Sequence, residues 1–79
     1  MRQMTDGDTT VDVLQHIITA NMWEHYILEQ PDEHGIVFAL VVGDYTELGD
    51  VSLPEIMPYA LSMTQEIDSI LPAPGWSWV

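Results

Sequence analysis

His16, His25 and His34 recur at nine-residue intervals, and imidazoles are the first side chains to consider for metal ligation or proton transfer near neutral pH. None of them has the close helical spacing that commonly sets two imidazoles on one metal. They are expected to be ordinary surface or half-buried side chains, and no metal site is expected. Asp44, Glu47 and Asp50 recur every third residue around a Gly-containing turn. Carboxylates in a turn can hold calcium, but a calcium loop places oxygen donors at alternate positions and ends on a distal Glu. A solvated acidic rim is the expectation there. Paired carboxylates could also act as general acid and base, yet such chemistry needs an electrophilic or cationic partner. Arg2 is the one Lys or Arg in the chain, and there is no Cys. With no Gly-rich phosphate loop and no nucleophile elbow, the chain is expected to be neither an enzyme nor a cofactor carrier.

The same count dominates the electrostatics. Thirteen Asp and Glu against one Arg give a formal net charge of −12. Direct binding to DNA, RNA or an anionic membrane is disfavoured, because each requires clustered Lys or Arg. Charged residues amount to 18% of the chain, where about 25% is typical, so the anomaly is missing cations more than surplus anions. Three meanings fit: a solubilising surface, a halophilic adaptation, or a face selected to meet a basic partner. At 47% hydrophobic residues the chain is apolar enough to fold. Its 79 residues make one domain, with only about 60–65% of the unfolded surface removed from water.

Residues 1–8 read as a flexible acidic arm, and residues 9–79 as a single α+β domain. Thr9 or Thr10 can cap an N-terminal helix with Asp12 in its first turn, and Val13, Leu14, Ile17 and Ile18 fall at helical spacing. Trp23–Glu29 reads as an edge strand. Pro31 and Gly35 then mark a turn, and Ile36–Val42, apolar on both faces, reads as the central strand. After the turn at 43–46, Glu47–Ser52 completes a three-stranded antiparallel meander. Ser52-Leu53-Pro54-Glu55 has capping-box spacing, which predicts a C-terminal helix reaching Leu71 with a kink or later start at Pro58. An aromatic tail follows, bearing Trp76 and Trp78. Two short helices cover one sheet face more easily than two, so the second face is expected to be covered by this tail or by another chain, as in a homodimer.

The run GIVFALVVGDYTELGDVSLPEI, residues 35–56, resembles the central hairpin of a family of small uncharacterised proteins of plasmids, phages and bacterial mobile elements. There an apolar strand, an acidic turn and a Glu-Leu-Gly-aromatic-x-Ser-Leu segment lead into a helix. Asp50 stands here where that family has the aromatic. The resemblance implies a mobile-element setting and transfers no catalytic residue.

The N-terminus lacks the apolar core of a signal peptide. The longest apolar run, Ile36–Val42, is far below the ~18–20 residues that span a bilayer. A cytoplasmic protein is expected. Its expected function is that of a small acidic protein–protein interaction module docking on a basic surface, such as that of a nucleic-acid-binding protein. Nucleic-acid mimicry by a phage- or plasmid-encoded inhibitor of the anti-CRISPR or anti-restriction type is one such setting. The residues expected to make the contact are Asp32 and Glu33 at one turn, Asp44, Glu47 and Asp50 at the other, and Trp76 and Trp78. The alternative is a small structural or assembly subunit associating through its apolar sheet face and the two tryptophans.

Overall fold

A computed structural model describes residues 1–79 and is mainly β. Strands β1 (Arg2–Thr5), β2 (Thr10–Val13), β3 (Gln15–Thr19), β4 (Glu24–Ile27), β5 (Ile36–Val42) and β6 (Thr46–Ser52) follow one another. A short helix, α1 (Leu53–Ile56), runs into a 3-10 turn at Met57–Tyr59. After it come β7 (Ala60–Thr64), a second 3-10 turn at Ile67–Ser69 and β8 (Ser77–Trp78). The strands form two antiparallel sheets, one of three strands in the order β2-β1-β8 and one of five in the order β6-β5-β4-β3-β7. No helix is long and apolar enough to cross a membrane.

This corrects the α+β expectation at both ends of the chain. Residues 1–8 supply a strand instead of a loose arm, and Met4 on it is 0% exposed. The Asp6 carboxylate accepts hydrogen bonds from the amides of Asp8 and Thr9 at 2.9 and 2.7 Å. These bonds to its charged form hold its pKa below the ordinary carboxylate value. Beside it Gly7 takes φ 101° and the Asp6 amide donates to the Thr9 carbonyl at 3.1 Å, so Gly7-Asp8 is the two-residue loop that closes a hairpin. The expected N-terminal helix is replaced by β2 and β3. The spacing of Val13 and Ile17 is coincidental, since Val13 belongs to the smaller sheet and Ile17 to the larger. β-Branched residues at 9–11, 13 and 17–19 favour the extended form.

The expected C-terminal helix stops after α1. Ser52 makes no capping hydrogen bond with its side chain, and Pro58 sits in the 3-10 turn, where a continuing α-helix would lack its amide donor. Residues 60–64 pair with β3 instead. The meander of β4, β5 and β6 is present, but its placement differs from expectation. Strand β4, read as an edge, is the middle strand of five, and β5 is second from the edge.

Each face of the larger sheet has its own cover. Tyr26 and Leu40 face the smaller sheet and join Met4, Val13, Ile67 and Ala73 in one core. Ile17, Ile27, Val37 and Ala39 face the other way and are covered by Leu53 and Ile56 of α1 with Val51 and Ala60. Trp76 and Trp78 pack against the first core, and the Trp78 Nε1–H donates to the Ile70 carbonyl at 2.8 Å. The two tryptophans therefore help cover the sheet of their own chain.

Candidate binding site

The seven residues of β5 separate the two acidic turns, a span of roughly 20 Å. The structure thus does not bring Asp32 and Glu33 together with Asp44. Asp32 is occupied with its own turn, accepting hydrogen bonds from the amides of His34 and Ile36 at 2.8 and 2.9 Å. Glu33 pairs with the exposed His34 ring at 3.4 Å. At the other turn Asp44 is exposed, and Glu47 and Asp50 are exposed on β6, an edge strand paired on one side only. Register sets Glu47 beside Val41 and Asp50 beside Phe38, so strand alternation sends the two carboxylates to opposite faces. None of Asp44, Glu47, Asp50 and Glu55 has a cationic partner. Arg2 is engaged elsewhere, 3.7 Å from Asp68 and 4.8 Å above the Trp78 ring.

A cleft of about 560 Å³ opens between β6, α1 and the β3–β4 turn. Trp23 and Tyr59 supply aromatic surface, Glu55 supplies a carboxylate, and Asn21 and His25 supply neutral polar groups, while Asp50 borders the cleft on the edge strand with its side chain toward the other face. Two close approaches fix its walls. A Cβ on Gly43 would stand 2.5 Å from the Trp23 indole, so the ring lies flat against the end of β5. A Cβ on Gly35 would stand 2.7 Å from the Pro54 ring, and the Leu53 amide donates to the Gly35 carbonyl at 3.0 Å. Together these pin α1, and with it Glu55, to the β4–β5 turn.

His25 is the polar residue most enclosed at this cleft, 5% exposed. Its Nδ1 meets the Ile17 carbonyl at 3.4 Å. A carbonyl only accepts, so Nδ1 carries the proton and Nε2 keeps its lone pair. Nε2 has no hydrogen-bond partner in the protein yet is not sealed from solvent. Burial lowers the His25 pKa, with the Ile17 carbonyl opposing and His16 assisting. The ring is accordingly neutral at neutral pH.

His16 lies on the opposite face of the sheet. Its Nε2 contacts the Glu24 carboxylate at 2.9 Å, its ring stacks at a tilt 4.7 Å from Tyr26, and its buried Nδ1 has no partner. The Tyr26 hydroxyl donates to the Leu71 carbonyl at 2.8 Å, and burial, with Glu24 adding to it, raises the phenol pKa far above its ordinary value. His16, His25 and His34 therefore occupy one face, the other face and a hairpin tip. No group of three His, Cys, Asp or Glu is placed to hold a metal ion. The residues that sequence spacing did not single out are Trp23, His25 as a cleft residue, Glu55 and Tyr59. Gly43 and Gly35 carried the only signal, since each marks a place where another group can approach the backbone. No family model, curated protein or solved structure matches the chain.

Proposed function

We propose that the protein is a non-enzymatic interaction module that docks on a basic surface of a partner protein through the β6 edge. One observation carries this reading. Glu47 and Asp50 on a free strand edge, with Asp44 in the turn before it, have no compensating cation, while the sole Arg is held at the far sheet by Asp68 and Trp78. Exposed Tyr45 and Leu48 beside these acids supply apolar contact, the combination of central apolar anchor and charged rim that interfaces use. Edge acids also deter strand addition, so the edge is suited to side-chain docking. The reading includes a carboxylate array that stands in for nucleic-acid phosphates, as an inhibitor encoded by a mobile element would use. Titration with a tetra-arginine peptide at low and high salt tests it. Affinity should fall steeply with salt, and equal binding at both would overturn the reading.

A second reading rests on β7, the opposite edge. Ala60–Thr64 carries no charge, and Leu61 and Met63 on it are 63% and 43% exposed. An uncharged apolar edge is where two copies of a strongly acidic chain can pair without apposing carboxylates. This assembly would use the β7 edge and not Trp76 and Trp78, which are packed in their own chain. Sedimentation of Leu61→Glu against the unaltered chain tests it: a dimer lost on substitution supports it, and a monomer throughout overturns it.

A further inference from the structure

We propose that the cleft beside the β6 edge receives an arginine side chain of the basic partner, its guanidinium lodged between Trp23 and Tyr59 with Nε2 of His25 accepting one of its N–H groups. This rests on the docking reading above and names what enters the molecule there.

Four features of the cleft converge on that chemistry. Glu55 is the ionised side chain lining it, and no Lys or Arg stands beside it, so an anionic occupant is repelled. The two large walls are Trp23 and Tyr59, and aromatic faces attract cations, planar guanidinium more than compact ammonium. His25 is a nearly enclosed side chain with an unpaired acceptor. A purely apolar occupant would leave that acceptor unsatisfied at a cost, whereas a guanidinium brings five N–H donors in a fixed plane. Finally, the Trp23 wall and the turn that carries Glu55 are set before any partner arrives, while Tyr59 is 65% exposed. Gly43 holds the indole, and Gly35 with Pro54 holds the turn that carries Glu55, so little ordering remains to oppose binding. Lysine meets the charge requirement but lacks the flat face that stacks on both rings.

The probe is Nα-acetyl-arginine methylamide, followed by tryptophan fluorescence and by amide and indole NMR shifts. The lysine analogue and the uncharged isostere, citrulline, serve as comparisons. The arginine amide should give saturable shifts at the Trp23 indole and His25, with a dissociation constant below about 10 mM. Citrulline should give none, and lysine should bind at least about threefold more weakly. Glu55→Gln, an exposed substitution that leaves the cores intact, should weaken arginine binding about threefold. Asp44→Asn with Glu47→Gln, outside the cleft, should leave it unchanged. Citrulline binding as well as arginine, or shifts that bypass Trp23 and His25, would overturn the proposal. The two readings fail separately. If tetra-arginine binding depends on Asp44 and Glu47 but ignores Glu55 and Trp23→Leu, the edge docks and the cleft does not take arginine. If arginine amide saturates the cleft while tetra-arginine ignores Asp44 and Glu47, the edge reading is the one that falls.

Discussion

The Trp23 indole and the Gly43 backbone are in such close contact that a methyl group on Gly43 would lie 2.5 Å from the ring. A glycine in the turn between β5 and β6 thus sets the position of an aromatic wall contributed by the β3–β4 turn. Gly43→Ala should displace the indole, cost about 1–3 kcal/mol of stability as an overpacking change, and alter tryptophan emission. Gly49→Ala is the control, because nothing lies within 4 Å of a Cβ there. It should be neutral or stabilising by up to about 1 kcal/mol. Denaturant midpoints for the two variants check the contrast.

Gly35 and Pro54 form the second such contact, at 2.7 Å, with Gly35 also at φ 78°. Gly35→Ala therefore meets two obstacles, a clash and a left-handed backbone that disfavours a side chain. Pro54→Ala removes the clash alone. The double substitution should be less destabilising than the sum of the singles by about 0.5–2 kcal/mol. Additive losses would show that the two residues do not press on each other.

His25 makes stability depend on pH in a definite direction. Its pKa is lowered in the folded state by burial, so the unfolded chain takes up the proton first as pH falls. The contribution of this residue is full above its unfolded pKa of about 6.5 and declines as pH falls from there toward the lower folded pKa. Thermal melting from pH 7.5 to 5.5 should show this loss in the unaltered chain and a flatter profile in His25→Gln. Parallel profiles would contradict it.

Met22 ends the β3–β4 turn at φ 67°, the one non-glycine residue with positive φ, and is 69% exposed. The left-handed conformation costs a residue with a Cβ about 1–2 kcal/mol, part of which glycine returns as unfolded-state entropy. Met22→Gly should raise stability by a net of about 0.5–1 kcal/mol, read as a higher urea midpoint. A lowered midpoint would mean that the Met22 side chain makes contacts that matter more than its backbone strain.

The meander was legible because Ile36–Val42 is a continuous β-branched and apolar run closed by turn residues on both sides. The N-terminal strands carry a signal of their own in the sequence, in competition with the helical spacing. Gly7-Asp8 is a hairpin dipeptide, and the β-branched residues after it outweigh an apolar spacing that fits a helix over one turn. The loss of the C-terminal helix turned on tertiary pairing. Residues 60–64 have no strong local preference and become a strand because β3 offers an open edge. The acids of β6 could be found by counting, since they depend on no folding. The cleft could not, because Trp23, His25, Glu55 and Tyr59 come from segments that only the sheet order and the two glycine contacts bring together.

Moving the same loss of charge to two places on the surface tests the central claim most directly. Asp44→Asn/Glu47→Gln/Asp50→Asn and Asp8→Asn/Asp12→Asn/Glu66→Gln each remove three exposed carboxylates, so net charge changes equally and only location differs. Tetra-arginine affinity, measured by calorimetry at low salt, should fall about tenfold or more for the β6 set and no more than about threefold for the other. Equal losses for the two sets would show that the peptide reads overall charge, and would contradict a docking site at the β6 edge.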